Sequence, residues 1–251
     1  RRYGKGCIFC GIGIQEALSR LGVGPDLIIP AIPQEILFTH RVGDGFEFYF
    51  LSNQSENAVS GTFGFDVADR QPELWNAETG EIRDLPVFEQ RAGRTYVPLE
   101  FGPADSWFIV FRKRVVVSNS GSDTNFPAFR KLQEINCNWN VTFHPVYDAA
   151  REMTFGELTD WTQNDDPYIR HFSGTATYKT NFEYRAGTEK NVWLDLGTVH
   201  ALADVTLNGQ PFRTLWRPPY RVNISEVLKE GYNTIEVVVT NCWLNRLIGD
   251  L

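Results

Sequence analysis

Period-two alternation over the last third of the chain is the feature that most constrains its fold. Val192, Leu194 and Leu196 alternate with Trp193 and Asp195, Val205 and Leu207 with Asp204 and Thr206, and Ile235, Val237 and Val239 repeat the pattern. Successive side chains of a strand point to opposite faces, so these runs each bury one face and wet the other; a helix would scatter the same residues around its circumference. Asn208-Gly209 stands between two such runs. Both residues tolerate positive φ, which predicts a two-residue hairpin turn. Arg217-Pro218-Pro219 cannot continue a hydrogen-bonded ladder and predicts an extended excursion at a sheet edge.

The middle of the chain carries a second set of short strands. Phe46, Phe48 and Phe50 alternate with Glu47 and Tyr49 after an Asp44-Gly45 turn, and further strands are expected at 59–67, 73–76, 95–99 and 107–111. Polar, turn-forming stretches separate them, which predicts a compact antiparallel sandwich over residues 34–113. Before it, a strand at 7–10 precedes a helix at 14–21 whose Ile14, Ala17, Leu18 and Leu21 share one face, stopped by Gly22-Val23-Gly24-Pro25. One strand and one helix cannot bury a useful core, so residues 1–33 are expected to be the tail of a larger α/β domain. Residues 114–136 are expected to link the units, because Ser118 to Asn125 is polar and without periodicity. The third unit, 137–251, is expected to open with a strand at 139–143.

The formal net charge of −7 disfavours nucleic acid and anionic membranes as partners, but would not repel a neutral sugar polymer. No apolar run approaches the roughly 18 residues of a membrane span. The 14% aromatic content suits strand cores as well as stacking platforms. Four cysteines in 251 residues do not form a disulfide framework, and Cys7-Ile8-Phe9-Cys10 reads as a strand with structural cysteines. Asn53, Asn140 and Asn223 begin glycosylation sequons, which matter only in a eukaryotic secretory setting. The chain starts Arg1-Arg2-Tyr3 and ends Gly249-Asp250-Leu251, as expected of a piece of a longer protein.

The LDLG strand, the A-D-V-T-L-N-G hairpin, P-Y-R-V-N-I, L-K-E-G-Y-N-T-I-E-V and V-T-N, all within residues 194–241, together resemble the sugar-binding jelly-roll domain of glycoside hydrolase family 2. The longer spelling, with Leu215-Trp216-Arg217-Pro218-Pro219-Tyr220 and Asn245-Arg246-Leu247-Ile248-Gly249-Asp250, is similar to bacterial α-L-rhamnosidases of the family 106 type. Phe172-Ser173-Gly174-Thr175-Ala176-Thr177-Tyr178 resembles the strand that opens the domain. Residues 73–82 resemble the small β-sandwich that joins catalytic and sugar-binding domains in these hydrolases, and the G-K-G-C-I-F segment resembles the end of an amidotransferase-like domain. The resemblance implies a mostly β chain: a small antiparallel β-sandwich, then a galactose-binding-like jelly roll truncated at its C-terminus, after an α/β remnant. It also implies an upstream catalytic barrel outside this chain and a periplasmic or extracellular location.

Glycoside hydrolysis needs two opposed carboxyl groups. With 31 Asp and Glu, closeness in sequence selects no pair, and no residue matches the barrel motifs, so no catalytic residue is assigned. The four His lack metal-site spacing, and no cofactor-binding loop is present. A binding role is more accessible, because sugars stack on aromatic rings while amides and guanidinium groups meet their hydroxyls. Three aromatic-plus-polar clusters qualify: Trp216 with Arg217, Trp243 with Asn245 and Arg246, and Trp161 after Asp160. Trp75 reads as a core or interface anchor. The expected function is a non-catalytic accessory region of a glycoside hydrolase that supports or lines the substrate site, with an oligosaccharide or polysaccharide as partner. The alternatives are a free-standing carbohydrate-binding module and a purely structural sandwich array.

Overall fold

The computed structural model describes residues 2–4, 6–30, 35–115, 124–145 and 149–250. They divide into two compact units, 1–129 and 130–251; the division falls inside the stretch expected as a linker, and most of its polar run, residues 118–123, lies outside the described residues. Strands dominate, as the alternating runs predict.

The first unit opens with β1 (Arg2–Tyr3) paired to β2 (Gly6–Cys7) and helix α1 (Ile14–Arg20). The strand expected at 7–10 ends at Cys7, and Ile8 and both cysteines are solvent-exposed. Helix α1 forms where the 3.6-residue pattern places it, yet buries none of its residues.

The rest of the unit is a sandwich. Strands β3 (Leu27–Ile28), β4 (Ile36–Val42), β5 (Glu47–Asn53), β6 (Val59–Phe65), β7 (Arg70–Trp75), β8 (Ile82–Asp84), β9 (Glu89–Arg91), β10 (Arg94–Phe101) and β11 (Ser106–Arg114) form two sheets, ordered β3-β6-β10-β9 and β4-β5-β11-β7-β8. All pairings are antiparallel. Tyr49, Leu51, Phe63, Phe65, Leu74, Val97, Leu99, Ile109 and Phe111 from both sheets meet in one core, where Tyr49 and Phe65 pack edge to face at 4.9 Å. Two pieces expected outside the sandwich are tied into it. Leu27 pairs with Phe65 and is buried. Asn125, also buried, accepts from Val87 N and donates to Val87 O and Pro98 O. The Asn53 sequon is no surface site: its amide is buried and donates to Asn57 O and Gly102 O at 2.7 and 2.8 Å.

The second unit is a jelly roll. Strands β12 (Trp139–His144), β13 (Arg151–Phe155), β14 (Thr175–Tyr184), β15 (Trp193–Asp195), β16 (Leu202–Leu207), β17 (Gln210–Pro211), β18 (Arg221–Asn223) and β19 (Gly231–Thr240) make a six-stranded sheet, β13-β12-β14-β19-β16-β17, and a two-stranded one, β15-β18. Short helices α2 (Pro167–Arg170) and α3 (Leu244–Gly249) interrupt and end it. The inward positions of the alternating runs (Leu194, Val205, Leu207, Ile235 and Val237) join Val141, Phe143, Phe172, Ala176 and Phe182 in the core. Asn208 and Gly209 both have positive φ, +52° and +83°, in the tight turn their sequence predicts between Leu207 and Gln210.

Beside that turn Asn233 is buried with its amide fully used: Oδ1 accepts from Asn208 Nδ2 and Lys229 N, and Nδ2 donates to the carbonyls of Lys229 and Gly231. Asn233→Ala strands these groups away from water and is expected to cost about 2–3 kcal/mol. A urea midpoint within error of the wild type would show that water replaces the amide without cost.

Candidate functional site

The register of the large sheet gathers two of the three aromatic clusters at one rim. Thr175 at the start of β14 pairs with Thr240 at the end of β19, and Thr240 pairs with Leu202 at the start of β16. The loop at 197–201 therefore opens at this end, the loop at 212–220 runs back to it along β16 from the hairpin at 208–209, and the loop at 241–250 leaves from it. Backbone bonds fix the second loop to the first strand of that end, with Ala203 and Leu215 exchanging both hydrogen bonds at 2.8 Å. Tyr220 is buried beneath the loop and donates its hydroxyl to Ala201 O at 3.0 Å, while Ala201 N donates to Thr240 O. Burial pushes the Tyr220 phenol pKa up, so it stays a neutral donor.

Above this frame Trp216 is 58% exposed and Trp243 81% exposed. The Arg217 guanidinium lies 6.0 Å from the centroid of the Trp216 ring, at the edge of cation–π range, and donates to Pro218 O at 3.0 Å. Asn245 and Arg246 sit in the first turn of α3, where Arg246 Nε pairs with Asp250 at 3.0 Å. Two exposed indoles and two guanidinium groups can hold a flat sugar face and its hydroxyls.

Trp161 is differently placed. Its ring packs against Phe143 and Phe172 at 5.4 and 5.6 Å, and its Nε1 donates to Tyr178 OH at 2.5 Å. Burial raises the Tyr178 pKa to about 12, against the opposing effect of the indole bond. Trp161 is thus half-buried against the core, with Asp160 beside it capping a turn. The Thr162 backbone N–H and hydroxyl hold the Asp160 carboxyl below its ordinary range, and His200 adds to the effect.

The frame also uses residues to which the sequence reading gave no role. Ser173 Oγ donates to Cys242 O and accepts from Arg246 N, both at 3.0 Å. Asn241 accepts from Gly174 N at 2.9 Å and donates to Phe172 O at 2.8 Å. Their signal lay in the F-S-G and V-T-N spellings, which local patterning alone does not connect.

Among the described residues the buried carboxylates are Glu73 and Asp105, both in the first unit. Glu73 is held by Trp75, Arg112 and Lys113, and Asp105 accepts from the backbone of Gly102 and Ser106. Among the described residues no three His, Cys, Asp or Glu side chains converge as a metal site would. Among the described residues no helix is long and apolar enough to cross a membrane. At the far end of β14 a polar cleft is lined by Lys131, Gln133, Glu183 and Arg185, and the Arg130–Glu189 and Lys131–Glu134 ion pairs lie along it.

Comparison with known proteins covers both units. Residues 1–90 match the family model described as alpha-L-rhamnosidase, of glycoside hydrolase family 106. Residues 155–247 match the glycosyl hydrolase 2 galactose-binding domain-like model. The solved structure of a rhamnosidase from Novosphingobium sp. PP1Y aligns with 94% of this chain at 35% identity and a TM-score of 0.82. A protein of Formosa agariphila named "Putative beta-glucuronidase" is 41% identical over 115 residues, 45% of this chain. The chain spans 23% of the length of that rhamnosidase and 10% of that of the Formosa protein. The resemblance and the mostly β, galactose-binding-like fold expected from the sequence are both borne out, and the chain is a glycosidase-associated region.

Proposed function

We propose that this region is a non-catalytic part of an α-L-rhamnosidase-like glycoside hydrolase, bracing a catalytic domain of the same protein and lending the rim of its jelly roll to the substrate site. The alignment with the Novosphingobium rhamnosidase over 94% of the chain carries the reading. The buried carboxylates support it, since each is committed to donors of the protein itself. So do the exposed apolar residues Ile14 and Leu21 of the first unit, which suit burial against another domain. The partner is a rhamnose-containing oligosaccharide or polysaccharide, and the site of action is the periplasm or exterior, where such polymers are met.

The chain alone is expected to release no measurable nitrophenol from an aryl α-L-rhamnoside; turnover above background would overturn the accessory role. Titrated with rhamnose oligosaccharides, it is expected to bind them, with Trp216→Ala weakening affinity about tenfold, or roughly 1.4 kcal/mol. A large fall in melting temperature with unchanged affinity would instead make Trp216 a packing residue. A second reading has its own observation: Leu244, Leu247 and Ile248 on α3 are all exposed, which favours a rim covered by protein. In that case the role is bracing alone and no titration heat appears.

A further inference from the structure

We propose that Ser173, with Asn241, is the positioning residue of the rim: it caps α3 from a distant part of the chain and so sets where Trp243, Asn245 and Arg246 stand. The inference rests on the carbohydrate reading of the rim and adds what governs its geometry.

A helix start leaves backbone N–H groups without partners, and the residue at the cap normally accepts one with its own side chain. Helix α3 has no such residue. Its cap position is Trp243, with helical φ and ψ of −69° and −11° and no side-chain acceptor. The missing acceptor is Ser173 Oγ, which takes the Arg246 N–H at 3.0 Å, while the hydroxyl proton goes to Cys242 O at 3.0 Å. One hydroxyl therefore closes the turn that contains Trp243, Leu244 and Asn245.

Asn241 locks the same two segments together. Its side chain bridges Gly174 N and Phe172 O, and its own N–H donates to Gly174 O at 3.2 Å. Gly174 has φ +147°, and a Cβ there would come within 3.0 Å of His144 O and 3.1 Å of the Phe172 ring, so the close passage admits glycine only. Phe172 is buried 4.9 Å from Phe143. The path from the core to the rim thus runs Phe172, Ser173, Gly174, then across hydrogen bonds to residues 241–246.

This frame matters because α3 cannot hold itself. A helix of six residues is far shorter than the roughly 12–15 residues at which isolated helices become marginal, and α3 buries no residue. Its other anchor is the approach of Gly249 to His171, where a Cβ would lie 2.6 Å from the His171 Cβ.

The test compares Ser173→Ala, Ser173→Thr, Trp243→Ala and Arg246→Ala in the full chain by amide exchange at residues 246 and 247, whose N–H groups are bonded to Ser173 Oγ and Trp243 O, and by titration with a rhamnose oligosaccharide. Ser173→Ala is expected to speed exchange at these amides at least tenfold and weaken affinity about fivefold, with the global unfolding midpoint unchanged. Ser173→Thr keeps the hydroxyl and is expected to restore both. Unchanged exchange in Ser173→Ala overturns the cap, and faster exchange with unchanged affinity overturns the positioning role. If Trp243→Ala and Arg246→Ala weaken binding but Ser173→Ala does not, the inference fails and the carbohydrate reading stands. If the wild type binds no oligosaccharide, the carbohydrate reading fails, and the exchange rates still decide for or against the cap.

Discussion

Phe143→Ala is expected to destabilise the second unit by about 3–5 kcal/mol, a large share of the roughly 5–15 kcal/mol that holds a typical domain together. Phe143 is fully buried, and four rings surround it: Phe172 at 4.9 Å, Trp161 at 5.4 Å, Phe155 at 6.2 Å and Tyr168 at 6.4 Å, mostly edge to face. Such pairs add to the value of the buried area itself. The cavity left by truncation has little means of closing. Phe143 lies on β12, paired on one side to Arg151 of β13 and on the other to Ala176 of β14, so the backbone is fixed from both edges. The residue opposite is an alanine, which has no side chain to swing into the gap. Urea unfolding should show a lower midpoint with an unchanged slope. Phe143→Leu keeps most of the volume and should cost under about 1.5 kcal/mol. A Phe143→Ala loss below about 1 kcal/mol would mean the aromatic cluster repacks, and the view of it as the fixed reference for the rim would fall.

The parts of this molecule legible in its sequence are those where one face of an element is wet. The runs around Val205 and Ile235 alternate cleanly because their outer residues face water, and Asn208-Gly209 marks its turn because few other residues accept two positive φ values. The run at 46–50 shows the limit. Its phenylalanines suggest the even positions as the buried face, yet Tyr49, Leu51 and Asn53 point into the core, and Phe48 and Phe50 pack against Phe108 on the other face at 5.8 and 4.8 Å. With apolar residues on both faces, periodicity carries no sign. Leu27–Ile28 is too short to show a period at all, and Asn125 looks like loop composition because its role is to bond loops. At the rim, Trp216, Trp243 and Arg246 stood out by residue type. Ser173 and Asn241 did not, since a hydroxyl and an amide gain their meaning only from partners some seventy residues away.

The first unit offers the sharpest electrostatic prediction. Glu73 has no solvent exposure and bonds Trp75 Nε1 at 2.9 Å, Arg112 Nε at 2.8 Å and Lys113 Nζ at 2.6 Å, while Arg112 also lies over the Trp75 ring. Burial pushes the Glu73 carboxyl up, but the bonds from Lys113, Trp75 and Arg112 outweigh it and hold the group below the usual carboxylate range. A carboxyl whose folded pKa is depressed stabilises the fold above its unfolded value, near 4.3, and that contribution disappears as pH falls through the folded value. Wild-type stability should therefore drop on acidification below about pH 4.3. Replacing both Arg112 and Lys113 with alanine leaves a buried charge uncompensated and is expected to cost about 3–5 kcal/mol at neutral pH. In that variant burial dominates, the folded carboxyl is raised instead of lowered, and the sign reverses: stability rises as pH falls toward 5, because protonation removes the charge. Glu73→Gln in the double-variant background should abolish this rise. Urea midpoints from pH 4 to 8 for the wild type, the double variant and the triple variant measure all three slopes. A double variant whose stability falls with acidification as the wild type's does would show that water reaches Glu73 once its cations are gone, and that the cluster is a surface ion pair worth little to the fold.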